Sequence, residues 1–370
     1  MKRLLFYLIF IFLTLATIEI ISFVYFKIQK ERFTFYDPSG FVLTNEQIEK
    51  ARPKFDSITG WSEKYKTSYG ERPRKNSFPD SLIATFGDSF TNCVGVEDNE
   101  TWQHHLSDSI GKTVFNFGVG GFGMGQTLIH FRENYDKVKT PIVTYGFTAE
   151  NLSRAINVYR PFYFKRTGVT LPKPRFFLEN GKLILWETPI QKERDLNQLQ
   201  NPNFFIKIGA FDYWYNHNNL PHYSFPYTSI FFNESYQYEL MNGKYDDLKA
   251  VNREIWKQEE FANLGFAMFD AFVEEATAKG AIPIFVFIPT KFDNFAFFED
   301  RLSGRHRIIK EYCESKGYLF FDGTEVMGGW LKANPEKGHK TIYHHHINSF
   351  GTTIFAQGFL KFLKEKELVE

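Results

Sequence analysis

Apolar positions recur along this chain with two spacings, and one stretch obeys neither. Leu4 to Phe26 is an almost unbroken apolar run, preceded by Lys2-Arg3 and followed by Lys27, Lys30 and Arg32. As a helix, at about 1.5 Å per residue, it spans about 34 Å, enough to cross a hydrocarbon core of ~30 Å. The run is too long for a signal-peptide core and no small-x-small cleavage site follows it, so residues 1–32 are expected to form an uncleaved membrane anchor. Glu19 alone interrupts the run. A carboxyl there calls for a helix partner, such as a larger membrane complex, or for snorkelling to the near interface. The basic charge on the two flanks is similar, so the positive-inside rule leaves orientation open.

Residues 33–80 are polar, mixed in charge and rich in turn residues (Asp37-Pro38-Ser39-Gly40, Thr59-Gly60-Trp61, Tyr69-Gly70). They read as a stalk or wrapping extension, with Asn45–Ala51 helical and Trp61 packing the segment on the main domain. From Ser81 the spacing switches between two and three to four. Strands are expected at Leu82–Phe86, Val114–Phe117, Pro141–Phe147, Ile282–Ile288 and Tyr318–Phe321. Helices are expected at Thr101–Ile110, Gln126–Val138, Glu254–Lys279, Arg305–Lys316 and Thr352–Leu363. Such alternation predicts an α/β domain over 81–370, a five-stranded mainly parallel sheet in a three-layer α/β/α arrangement. Between 159 and 251 the pattern breaks into aromatics, prolines and asparagines. That length exceeds an ordinary loop, so it is read as an insertion, a lid or a substrate-facing subdomain. Within it a hairpin is expected over Phe176–Trp186, turning at Asn180-Gly181.

Composition changes little in this picture. With 370 residues and 43% hydrophobic positions the chain can bury a full core, and a net charge of +1 gives no electrostatic case for nucleic acid. The 43 Phe and 19 Tyr suit aromatic packing, or stacking surfaces for sugars. Two cysteines, Cys93 and Cys313, leave one disulfide open and settle no redox compartment.

Chemistry concentrates at strand ends. Leu82-Ile83-Ala84-Thr85-Phe86-Gly87-Asp88-Ser89-Phe90 reads as a buried strand, a glycine turn and a presented serine. Gly87 is expected to allow the sharp turn through its freedom of backbone angle, and Asp88 to cap it. Open α/β folds place ligands at that carboxyl edge. A serine nucleophile needs a general base and donors for the developing oxyanion. A glycine-rich turn (Gly118-Val119-Gly120-Gly121), a polar stretch after the third strand and a histidine near the C-terminus follow in order.

These residues resemble the SGNH hydrolases, the GDSL-like lipase/esterase superfamily, which has a flavodoxin-like sheet. Gly87-Asp88-Ser89-Phe90 is similar to the first block of that family, Asn116-Phe117-Gly118-Val119-Gly120-Gly121 to the second, and His346-Ile347-Asn348-Ser349-Phe350-Gly351 to the fifth. The resemblance implies Ser89 as nucleophile, His346 as base, and the Ser89 and Gly121 amides as oxyanion donors. It covers Leu82–Val158 and Ala281–Leu363 and is closest to membrane-anchored, polysaccharide-associated members. Two departures stand out. The third block should read Gly-x-Asn-Asp, but here it is Gly146-Phe147-Thr148-Ala149-Glu150-Asn151. Glu150 takes the asparagine's place and cannot donate when ionised; a slip of one residue makes Asn151 the expected donor. The aspartate that orients the histidine is missing, its positions being Tyr343 and His344. Candidates for orienting the imidazole or touching substrate are His344, Asp88, Glu150 and Arg154, with Tyr159 and Arg160 further on.

His344-His345-His346 has no recognised ligand spacing, so no metal is expected, and no cofactor is implied. The resemblance implies a membrane-anchored esterase or O-acyltransferase, its catalytic part outside the cytoplasm. The substrate would be an acylated carbohydrate or another small ester. The alternative is an inactive relative that binds carbohydrate or assists assembly.

Overall fold

The computed structural model describes residues 2–30, 32–33, 35–162, 167–216, 220–242, 255–298 and 304–370. Its centre is a five-stranded sheet. In chain order the strands are β1 (Ser81–Gly87), β2 (Thr113–Gly118), β3 (Ile142–Phe147), β4 (Ile282–Phe287) and β5 (Leu319–Asp322). All pair in parallel, in the order β2-β1-β3-β4-β5. Successive side chains enter opposite layers, as the two-residue period demands. Ile83, Ile142 and Ile284 join one core cluster, while Ala84, Val143 and Phe285 join the other. The first is covered by helices Trp102–Ile110, Gly323–Ala333 and Ser349–Glu365, and the second by Met124–Val138 and Glu259–Ala278. This is the expected three-layer α/β/α arrangement. The strand order switches sides between β1 and β3, with β2 added on one side of β1 and β3 on the other, which puts the ligand-binding crevice of such folds beside the residues that follow those two strands.

Element ends differ modestly from expectation. The long helix starts at Glu259 after a 3-10 turn at Ile255–Lys257, and the expected start at Glu254 lies outside the described residues. Helices not expected include Gly323–Ala333, Lys291–Phe298 and, in the insertion, Pro202–Gly209 and Glu234–Asn242; Gly323–Ala333 packs on the sheet. The Asp322 carboxylate caps that helix by accepting from the Thr324 amide at 2.9 Å. Its apolar face carries Met327 and Leu331, but Gly328-Gly329 thins the pattern.

The insertion and the extension both join the core. The hairpin forms as Arg175–Glu179 against Lys182–Trp186, with Asn180 and Gly181 at φ 51° and 76°, the left-handed pair a two-residue turn needs. Leu196, Phe205 and Trp214 of the insertion, and Phe41, Ile48 and Trp61 of the extension, belong to the same cluster as β3. Parts of the insertion (163–166, 217–219 and 243–251) lie outside the described residues. Cys93 and Cys313 are both free and sit in different clusters, so the disulfide left open by the sequence does not form.

The helix Lys2–Gln29 is long and apolar enough to cross a membrane. Glu19 finds its partner in its own chain, at the amides of Tyr227 and Thr228 and the Thr228 hydroxyl. A separate membrane protein is therefore not needed to satisfy it.

Candidate active site

Ser89 opens a one-turn helix, Ser89–Asn92, directly past β1. Asp88 caps that turn, Oδ1 accepting from the Phe90 amide at 2.8 Å. Gly87 serves close approach and not an unusual backbone angle, because a Cβ there would collide with Thr91 Oγ1 and the Gly146 carbonyl. Gly118 is equally constrained, its missing Cβ leaving room for the Asn92 amide. The turn is then pinned from outside the sheet. Arg72, from the extension, donates to the carbonyls of Asn92 and Cys93 at 2.5 and 2.9 Å and pairs with Asp98 at 2.9 Å. Asn92 Nδ2 donates to the Gly118 carbonyl at 2.7 Å and to the Tyr65 hydroxyl at 3.1 Å.

His346 reaches this serine from a loop between the last two helices. Its Nε2 lies 2.9 Å from Ser89 Oγ. The loop is held on both sides. The buried Tyr343 hydroxyl donates to the Pro289 carbonyl at 2.9 Å, and the Asn348 side chain links the Thr341 carbonyl to the Gly351 amide, both at 2.9 Å. The imidazole also packs on Phe90, with ring centres 4.7 Å apart. Burial lowers the His346 pKa below its ordinary value, Asp88 and Glu150 pulling it up and Arg154 and His345 pushing it down. The ring is thus neutral at neutral pH, as a proton acceptor must be. Among the described residues none hydrogen-bonds Nδ1. His344 is exposed, and only its backbone amide contributes, donating to the His346 carbonyl at 2.9 Å. His344 does not orient the base.

The glycine turn lies alongside. Gly121 has φ 82°, in the left-handed region, and a Cβ there would meet Arg160 Nη1 at 2.5 Å. Trp61 Nε1 donates to the Gly120 carbonyl at 2.9 Å, and the Gly120 amide donates to Glu63 Oε1 at 3.3 Å, so the extension fixes this turn as well. Among the described residues the amides of Ser89 and Gly121 have no acceptor. Two free amides at the end of a sheet are the elements of an oxyanion site.

Asn151 departs from expectation. It is wholly buried, and Nδ2 spends both hydrogens, on Asp88 Oδ2 at 3.1 Å and the Phe122 carbonyl at 2.9 Å. Its Oδ1 accepts from the Thr148 amide at 2.7 Å and hydroxyl at 2.5 Å. No amide hydrogen is left for an oxyanion. Arg154 enters the same network, Nη1 reaching Asp88 Oδ2 at 3.3 Å and the Phe122 carbonyl at 3.1 Å, and Nη2 reaching Glu150 Oε1 at 3.0 Å. Asp88 is thus both a cap and the anion at the centre of a buried cluster. Arg160 stands over the Gly121 carbonyl at 3.4 Å, and Tyr159 is buried in the core. Sequence reasoning missed Glu63, Tyr65 and Arg72 as positioning residues. Their one visible signal was the density of turn residues around Trp61, which marked a segment laid on the domain. No cluster of three metal-ligating side chains occurs among the described residues.

No protein-family model and no curated protein matches this sequence. Solved structures similar to it include a member of the lipolytic protein G-D-S-L family from Veillonella parvula DSM 2008 (11% identity, covering 76% of this chain and 97% of that one, TM-score 0.38). A catalytic mutant of Axe2, an acetylxylan esterase from Geobacillus stearothermophilus, is 12% identical, covering 78% of this chain and 96% of that one, TM-score 0.39. The psychrotrophic esterase EstA from Pseudoalteromonas sp. is 10% identical, covering 78% and 98%, TM-score 0.35. At these scores the likenesses carry no argument about chemistry, which rests on the geometry of Ser89, His346 and the two amides.

Proposed function

We propose that this protein is a membrane-anchored serine hydrolase or O-acyltransferase of SGNH type, acting on acyl esters of carbohydrate. The observation that carries it is the 2.9 Å approach of His346 Nε2 to Ser89 Oγ, beside two amides that donate to nothing else among the described residues. Ser89 Oγ attacks the acyl carbonyl and its proton passes to His346 Nε2. The Ser89 and Gly121 amides hold the resulting oxyanion. Collapse expels the sugar oxygen, which takes the proton back from His346. Water, or a second sugar hydroxyl, then attacks the acyl-serine while His346 accepts its proton; collapse releases the acid or the new ester, and His346 returns the proton to Ser89 Oγ, restoring both residues. Acetylated cell-surface or secreted polysaccharide is the substrate class that the anchor and the aromatic insertion favour.

The test is hydrolysis of p-nitrophenyl acetate by the full chain and by Ser89→Ala, with mapping of the residue modified by an organophosphonate. Loss of turnover in the variant and modification at Ser89 are expected. Unchanged turnover in Ser89→Ala removes the reading. Glycan binding without labelling of Ser89 returns the carbohydrate-binding alternative in its place.

A further inference from the structure

The helix Lys2–Gln29 does not end its contact with the rest of the chain at a membrane surface. Glu19 lies about 22 Å along the apolar run from Leu4, and a ~30 Å core takes about 20 residues to cross. Counted from Leu4 the core ends near Phe23, and counted from Lys2 near Ile21, so Glu19 lies within it either way. Yet the Glu19 carboxyl accepts from the Tyr227 amide, from the Thr228 amide at 3.2 Å and from the Thr228 hydroxyl at 2.7 Å. Those amides open the 3-10 helix Tyr227–Phe232. The same helix face continues into a packed seam, with Ser22 and Phe26 buried, Phe23 edge-on to Tyr227 at 5.0 Å and Phe26 edge-on to Tyr236 at 5.3 Å. A segment gripped at that depth shares that depth.

Its surface agrees. Phe225, Phe232 and Met241 are 76%, 81% and 82% exposed, and on the anchor Ile28 is 74% exposed. Such side chains are costly in water and suited to the boundary between headgroups and acyl chains. Lys27 lies over Phe23 and Lys30 over Tyr223, at 5.7 and 4.9 Å, the aromatic and basic belt of an interface. Backbone groups entering hydrocarbon must be satisfied within the protein, and the Glu19 carboxyl does this for the open amides of the 3-10 turn.

We infer that the segment from Phe225 to Met241 beds into the lipid leaflet around the anchor, its occupant being phospholipid. The domain is then moored to the bilayer at a second point and not hung on a tether. This rests on the reading of Lys2–Gln29 as a membrane span.

The experiment reconstitutes the full chain, one copy per nanodisc of phosphatidylcholine with phosphatidylglycerol, carrying Phe232→Cys labelled with a polarity-sensitive fluorophore. Cys93 and Cys313 are buried and contribute only a background read from the unsubstituted chain. Lipids with a nitroxide high on the acyl chain should quench the label about twofold, as expected at a depth of roughly 5–10 Å. Phe12→Cys, in the middle of the anchor, should be quenched by lipids with a nitroxide near the chain end. Quenching at 12 without quenching at 232 overturns the inference and spares the anchor. Quenching at neither position overturns both. Shielding at 232 that appears only when two copies share a disc overturns the lipid assignment in favour of a second copy.

Discussion

β1 and β3 end side by side, and the polar residues that follow them are used in opposite ways. Past β1, Ser89 keeps its amide unspent among the described residues, and its hydroxyl meets the His346 ring. Past β3, Asn151 and Arg154 turn inward and close on Asp88 and the Phe122 carbonyl. The first arrangement leaves hydrogen-bonding capacity for a ligand. The second uses its capacity to hold the first in place, since Asp88 also caps the turn that presents Ser89. On the proposed function, adjacent strand ends are thus divided into one that reacts and one that supports.

The largest expected effect tests the reactive end. Ser89→Ala should lower turnover about 10⁴-fold or more, because a nucleophile cannot be replaced by its neighbours. The melting temperature should barely move, the lost hydroxyl having, among the described residues, only His346 as partner. A large fall in melting temperature would mean that Ser89 supports the fold, and the division would collapse.

Arg154→Met tests the other end and should reverse that outcome. It leaves Asp88, wholly buried, without its guanidinium. Breaking one side of a buried pair typically costs about 3–5 kcal/mol, read as a shift of the urea midpoint. Adding Asp88→Asn to the same chain should recover part of the loss. If Arg154→Met instead keeps the midpoint and raises KM alone, Arg154 touches substrate and not Asp88.

Asn151→Ala separates the two ends more finely. A donor to the oxyanion would cost roughly 10²–10³ in kcat at unchanged stability. The observed bonds predict a stability loss of about 1–3 kcal/mol from the stranded partners, with kcat of the folded fraction falling less than about tenfold. Stopped assays at a temperature well below the melting transition distinguish the outcomes.

Why the reactive end was legible and the supporting end was not follows from distance along the chain. Gly87-Asp88-Ser89 is local: strand, close turn and cap are written in consecutive residues, even though Gly87 turned out to serve close approach and not backbone angle. The hairpin at Asn180-Gly181 and the five strands are local in the same sense. Asn151 meets Asp88 from 63 residues away, and Glu19 meets Thr228 from 209. No period or spacing encodes which of several polar groups a buried amide will choose, so Asn151 read as a free donor and Glu19 as a residue that either finds a helix partner or snorkels to the interface. The helix Gly323–Ala333 escaped for another reason, since Gly328-Gly329 masks a stripe that packing alone makes helical.

The smallest effect is electrostatic, and it measures how far the supporting end acts on the base. Burial lowers the His346 pKa, so the neutral, proton-accepting ring persists below the ordinary value of 6.5. The rate should therefore rise with pH through a midpoint below 6.5 and be flat at neutrality, as kcat/KM measured from pH 4 to 8 will show. Glu150 pulls that pKa upward and His345 pushes it down. Glu150→Gln should then move the midpoint lower and His345→Gln should move it higher, each only slightly, since both side chains are partly or fully in solvent. A downward shift from Glu150→Gln means that the cluster past β3 sets part of the field at His346 without touching it, while the His345→Gln shift reports the ring's own loop. Equal midpoints in the wild type and both variants mean that the two strand ends share a frame and nothing else.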